Sequence, residues 1–279
     1  MYRNAYAILG EVRRGLGEYS TAYVQGTDTT GHFDNSDIMQ KINDAQRFLW
    51  DILFVRFPEL FLTSTSLTAV SSVLTLPSDL HLIKRFENSD KRKIDPISVN
   101  LKHLANYQGS KYAYYRKGNT LVIDEDSNAD TFTLWYFKGV RELDQGLSTA
   151  GGALSLTLAT TARTTADYYN GMQIENVTDA WVDTISDYSA ARVCTLAAQT
   201  GASSKYYGLI SELPESFHRL IGMKALIFMK DDPKSPEKPT KTDLMNFQDA
   251  LVEALRSYAG TNEGDRTMES VFLDFEPYF

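Results

Sequence analysis

The sequence predicts an α+β fold. A helical bundle packs on an antiparallel β meander, and a small all-β domain, a barrel or a sandwich, is inserted into it. Three observations predict this. Apolar residues recur at helical spacing towards both ends of the chain, and from Leu60 to about Gly139 the period changes to two. Between that meander and the later helices lies "TADYYNGMQIENVTDAWVDTISDY", Thr165 to Tyr188, rich in Tyr, Thr and Val and without helical period. The division that follows is a core of helices and β meander over 1–146 and 207–279 with an inserted β domain over 147–206.

At the N-terminal side, Ala5, Ile8, Leu9, Val12 and Leu16 share one helical face, weakened by Gly10 and Gly15. A polar loop, "GTDTTGHFDNSD", follows, and Ser36 is the expected cap of a long helix with Asp37 in its first turn. Ile38, Ile42, Ala45, Leu49 and Ile52 make one apolar seam on that helix. Trp50, Phe54 and Phe57 make a second, and Pro58 ends the run. Two stripes are more than one neighbouring helix covers. Ile38, Ile42, Leu49, Trp50 and Phe54 are therefore candidates for packing, within a bundle or against further copies of the chain.

"SVLTLPSDLHLIKRFEN" reads as two short strands about a Pro-Ser-Asp corner, and "ISVNLKHLANYQ" as room for a short helix. "KYAYYR", "TLVIDE" and "TFTLWYFK" then alternate, joined by turns at Lys117-Gly118-Asn119 and Ser127-Asn128. In the insert, "LSLTLAT", "GMQIENV", "AWVDTIS" and "ARVCTLAA" each alternate as strands, with Asn170-Gly171 as a turn. The flanking "STAGGA" and "TGASSKYYG" read as boundary segments.

Helical period returns in "ELPESFHRLIGMKALIFMKDD", with Pro214 in the first turn and Leu213, Phe217, Leu220, Ile221, Ile227 and Phe228 on one face. Lys224 falls in the middle of that face and must snorkel or find a carboxylate. A last helix over 243–258 buries Leu244, Phe247, Leu251 and Leu255. The final segment carries Val271, Phe272, Leu273, Phe275, Tyr278 and Phe279, an apolar cluster that either folds back on the core or docks on a partner.

A formal charge of −8 argues against a dedicated nucleic-acid binder, which needs positive charge to attract phosphates. A single cysteine, Cys194, excludes an intramolecular disulfide framework. No apolar run is long enough for a membrane span, and the first residues lack the apolar core of a signal peptide. The histidines His32, His81, His103 and His218 lack metal-ligand spacing, and no nucleophile or phosphate-binding motif is present. Asp124, Asp126, Asn128 and Asp130 match alternate positions of a calcium loop, but Ala129 and Trp135 stand where Gly and Glu are required, so a polar turn is expected. Lys84, Arg85, Lys91, Arg92 and Lys93 read as a solvated turn with Glu87 and Asp90 as counterions. The expectation is a protein that is not an enzyme, with no catalytic residue, cofactor or metal.

The succession "INDAQRFLWDILFVRF", "LPSDLHLIKRF", "YAYYRKGNTLVIDEDSNADTFTLWYFK" and "ELPESFHRLIGMKALIFMK" resembles the head-to-tail adaptors of tailed bacteriophages, in particular the tail tubular protein A type. The resemblance covers about Ser36 to Gly139 and Leu209 to Gly260. The insert is similar to a small β module of phage structural proteins, carried by "DYYNGM-I", "TISDY" and "V-TL", with "ENVTDAW" in place of the module's Gly-rich hairpin. The resemblance implies a virion protein at the head–tail junction, assembled in the host bacterial cytoplasm. It implies a homo-oligomeric ring, usually a dodecamer, that binds the portal protein and tail, nozzle or neck proteins while genomic DNA passes through its channel without specific binding. Under it, the aromatic tail from Val271 to Phe279 is the portal-docking element. A head-completion or stopper protein, or a receptor- or glycan-binding tail protein using the β insert, are the alternatives.

Overall fold

A computed structural model describes residues 3–18, 33–98, 100, 113–123 and 130–262. Among these residues the chain is mixed α+β, with four α-helices and three largely antiparallel sheets. It divides into two compact units, Met1–Leu49 with Arg141–Phe279, and Trp50–Val140. The stretch 147–206 lies in the first.

In the first unit α1 (Ala5–Gly15) opens on Asn4, whose side chain accepts the Ala7 N–H at 2.7 Å. Arg13 on this helix is fully buried. Its guanidinium donates to Asn35 Oδ1 and the Phe33 carbonyl and pairs with Glu18 at 2.9 Å. A buried cation needs such a full set of acceptors, and here it fastens α1 to the start of α2 (Asn35–Arg56). That helix begins one residue ahead of Ser36, with the Asp34 carbonyl accepting from Ile38 N–H, so Ser36 lies inside the first turn and does not cap it.

The seven strands of this unit are β8 (Gln145–Leu147), β9 (Ala150–Gly152), β10 (Ser155–Thr157), β11 (Gln173–Asn176), β12 (Trp181–Tyr188), β13 (Val193–Leu196) and β14 (Tyr206–Leu209). They form one sheet in the order β8-β14-β11-β12-β13-β10-β9. Laid flat, seven strands would set the edges roughly 29 Å apart. Only Ser148 and Thr149 link the two edge strands, a reach of about 10 Å. The sheet must therefore curl, and it wraps Leu156, Ile174, Ile185, Tyr188, Cys194, Leu196, Tyr207 and Leu209 into a buried interior. Asn170-Gly171 makes the expected turn, with Gly171 at φ +82.

The segments "STAGGA" and "TGASSKYYG" contribute strands β9 and β14, not linkers. Their glycines answer to close packing. A Cβ on Gly151 would lie 2.3 Å from the backbone nitrogen of Ala202, and one on Gly208 would lie 2.7 Å from that of Tyr6 in α1. The helices α3 (Glu215–Asp231) and α4 (Lys241–Asn262) complete the unit, α3 packing on both α1 and α4.

In the second unit β1 (Leu62–Thr68), β7 (Thr131–Lys138) and β3 (Leu80–Glu87) make one sheet with β7 in the centre. The second sheet runs β2 (Val73–Thr75), β6 (Thr120–Ile123), β5 (Ala113–Lys117), β4 (Asp95–Pro96). The hairpin between β5 and β6 forms at Gly118, φ +60, as expected. The meander does not continue from it, because β7 leaves β6 and pairs with β1 and β3. β7 buries apolar residues on both faces, which suits a central position. Phe132, Leu134 and Tyr136 join Phe86, Leu74, Leu121 and Ile123 in one core, while Phe137 on the other face meets the Phe54 ring at 5.4 Å.

Candidate functional site

The first unit's strand module is held at its base by side chains the chain brings from three directions. Arg141, just before the module, donates from Nε and Nη2 to Glu212, just after it, at 2.8 and 2.6 Å. Its Nη1 donates to the carbonyls of Tyr168 and Asn170, inside the "DYYNGM" turn, at 3.2 and 2.5 Å. Two amides of α2 complete the grip. Asn43 exchanges hydrogen bonds with both the N–H and the carbonyl of Leu143, and Gln46 links the Arg141 carbonyl to the Ser211 hydroxyl. A guanidinium is suited to this, since its fork meets a carboxylate on one side and carbonyls on the other.

Beyond this base lies a buried polar cluster. The Asp144 carboxylate accepts the Tyr207 hydroxyl at 2.5 Å, and Tyr207 in turn accepts the Ala159 N–H at 2.9 Å. The Tyr169 hydroxyl accepts from Arg163 N–H at 3.4 Å, the Tyr188 hydroxyl donates to the Arg163 carbonyl, and the rings of Tyr169 and Tyr188 meet edge to face at 4.8 Å. Three tyrosines thus pin the irregular segment 159–163 across the sheet. Burial pushes the Asp144 carboxyl up to about 6, against hydrogen bonds from Tyr207, Thr161 and Gln145 and the field of Arg192, all of which favour its charge. Burial together with the nearby Asp144 carboxylate raises the Tyr169 and Tyr207 hydroxyls far above their ordinary value. Cys194, fully buried on β13, is pushed up by burial to about 12 and so stays a thiol, without the charge a nucleophile needs.

Asp144 also reaches an open cleft of about 470 Å³. One wall is the polar face of α2, with Ser36, Gln40, Asp44 and Arg47; the other holds Glu142, Gln145, Thr161, Arg163 and Tyr169. Across it Arg163 forks onto Glu142 at 2.7 and 2.5 Å, and Arg47 approaches the same carboxylate at 3.8 Å. Gln145 is only 6% exposed, and its Oε1 is buried without a hydrogen-bond partner among the described residues. An orphaned acceptor of this kind is rare and points to a missing donor.

The residues singled out from sequence fall elsewhere. Ile38, Ile42 and Leu49 are 0% exposed within the single chain, and Trp50 is buried and stacked on Phe54 at 4.8 Å. Within the single chain Ile38, Ile42, Leu49 and Trp50 are thus packed in the chain's own fold, while Phe54 stays half-buried. Val271, Phe272, Leu273, Phe275, Tyr278 and Phe279 lie outside the described residues, as do Asp124, Asp126 and Asn128 of the calcium-loop-like stretch. Among the described residues no group of acidic, His or Cys side chains is arranged to hold a metal ion, and no helix is long and apolar enough to cross a membrane. The basic stretch is an exposed turn in which Asn88 accepts from Asp90 and Arg92 N–H; Arg85 pairs with Glu87, while Lys93 takes Asp95, not Asp90, at 2.7 Å.

Lys224 resolves in a third way, neither snorkelled to a carboxylate nor left bare. Its ammonium sits 4.2, 4.8 and 5.2 Å from the ring centroids of Phe48, Phe228 and Phe247. Burial lowers its pKa, while the three ring faces favour its charge.

Sequence reasoning missed Arg141, Asp144, Gln145 and Glu212. Each is a single polar residue at an element end, and its only signal was position, flanking the module that the pattern did reveal. No protein-family model and no curated protein matches this chain.

Proposed function

We propose that the chain is a structural virion protein, a head-to-tail adaptor of a tailed bacteriophage that forms a ring joining the portal to the tail and extending the DNA channel. The observation that carries this reading is the order of elements. A long helix, α2, leads through strands β1 to β7 to an interposed strand module, and the helices α3 and α4 follow. In this reading α1 to α4 are the adaptor's helical bundle, the two sheets of β1 to β7 take the place of its meander, and residues 147–206 are a module that faces tail, nozzle or neck proteins.

Charge supports the same reading. A chain of formal charge −8 repels phosphates, so DNA passes a channel built from it without sticking. The tight fastening of the module by Arg141, Glu212, Asn43 and Gln46 suits a rigid contact surface more than a moving catalytic lid. The aromatic segment from Val271 to Phe279 is the proposed portal anchor, since a few aromatic side chains can supply most of an interface's binding energy.

The test is capture on immobilised portal of the full chain and of a chain lacking Val271 to Phe279. Retention of the full chain and loss of the truncated one is the expected result. Equal retention of both would leave the adaptor role standing and remove the tail as its anchor. No retention of the full chain would overturn the role itself.

A further inference from the structure

The cleft beside Asp144 has features that packing within the chain does not use. It is open to solvent, about 470 Å³ in volume, and large enough for one extended side chain or a small molecule. Its two guanidiniums, on Arg163 and Arg47, are already turned towards Glu142. Among the other groups on its walls are three further acceptors. Asp144 is a carboxylate that accepts hydrogen bonds from Tyr207, Thr161 and the Gln145 backbone. Gln145, next in the chain, carries a buried carbonyl oxygen with no donor among the described residues. Asp44 on the α2 wall stands 3.9 Å from Arg47, too far for a strong pair. Met39, half-buried on the α2 wall, gives the cleft apolar surface for an aliphatic stem.

We propose that this cleft binds the cationic head of an amine or guanidinium ligand, with Asp144 and Gln145 as its acceptors and Asp44 as the outer charge. An N–H donor entering here supplies a partner for Gln145 Oε1 and a direct counter-charge for a buried carboxylate that otherwise has the field of Arg192. Both terms favour a cation over a neutral or anionic group, because a buried carboxylate gains most from a fully hydrogen-bonded positive partner. The stem of such a ligand lies along Met39. A free polyamine-like molecule and an arginine or lysine side chain of a partner protein share this chemistry. The inference stands apart from the adaptor reading and does not need it.

Isothermal titration of the full chain with agmatine and with a glycine-flanked arginine peptide tests it. Saturable one-to-one binding of either probe is expected. Agmatine binding assigns the site to small amines, and binding of the peptide alone assigns it to a partner's side chain. Asp144→Asn and Gln145→Met should each weaken binding by roughly tenfold or more. Should either variant fail to fold, titration of the wild-type chain followed by nitrogen-15 NMR replaces it, with the Gln145 side-chain amide expected to move on saturation. Heat with acetate but none with the cationic probes would overturn the proposal. So would binding undiminished in both folded variants, or saturation that leaves the Gln145 amide unmoved.

Discussion

Arg141 and Glu212 stand 71 residues apart in the chain and meet in a two-pronged ion pair of 2.8 and 2.6 Å. The strands between them begin and end at this pair, and the same guanidinium holds the Tyr168-to-Asn170 turn inside the module. Arg141 is 5% exposed, so its charge is largely removed from water and depends on these partners.

Truncating Arg141→Ala should therefore destabilise the chain by about 3 kcal/mol, because Glu212 and two carbonyls lose their donor together. Arg141→Lys should recover little, since one ammonium cannot serve a carboxylate and two carbonyls in different directions. Urea unfolding of both variants and of Glu212→Gln checks this. A double-mutant cycle should return a coupling of at least about 1 kcal/mol between the two residues.

Asp144 predicts a pH signature. Its folded value, about 6, lies above its ordinary 3.8, so the folded state binds the proton more tightly than the unfolded one. The stability this provides is present below pH 4 and is lost as pH rises through 6. A shift of about 2 units corresponds to roughly 3 kcal/mol. Asp144→Asn, which keeps an acceptor for Tyr207 and cannot ionise, should equal the wild type in acid and surpass it at pH 7.5. The difference in unfolding free energy between the two proteins, measured from pH 4 to 7.5, is the quantity to follow.

Lys224 in its phenylalanine cage predicts that charge, not length, is what the site endures. Burial lowers its pKa, and among the described residues no carboxylate pairs with it. Lys224→Met should leave stability within about 1 kcal/mol of wild type, with volume kept and desolvation removed. Lys224→Glu should be severe, because the ring faces repel an anion. Thermal melts of the two variants separate these outcomes. In a carbon-13 titration the Lys224 Cε resonance should move at lower pH than those of exposed lysines.

Much of the architecture was legible in the sequence, and what was missed has a common cause. Helical and alternating periods marked α1 to α4 and strands β10 to β13, because those signals are repeated over many residues. The edge strands β8 and β9, and β14 beside β8, were hidden in glycine-rich segments that resemble linkers. There glycine serves close approach, as at Gly151 against Ala202, and sequence does not distinguish the two uses. The apolar seam of α2 was visible, but whether Ile38 and Ile42 face their own chain or another depends on contacts far away in sequence. The site residues Asp144 and Gln145 follow no period. Their meaning arises only when β14 brings Tyr207 to Asp144.

Those glycines give a further prediction. Gly151→Ala places a methyl group 2.3 Å from backbone, where nothing flexible can yield, and should cost several kcal/mol or prevent folding. Gly171→Ala meets no atom within 4 Å but must hold φ +82, so it should cost only about 1 kcal/mol. Gly171→Asn should cost less still. Soluble yield and urea midpoints rank the three.

The central claim, that this chain is a ring-forming adaptor, is tested most directly by native mass spectrometry of the purified chain alone and mixed with its portal. The account predicts a closed homo-oligomer of many copies, alone or once portal is added. A monomer whose mass is unchanged by portal would contradict it.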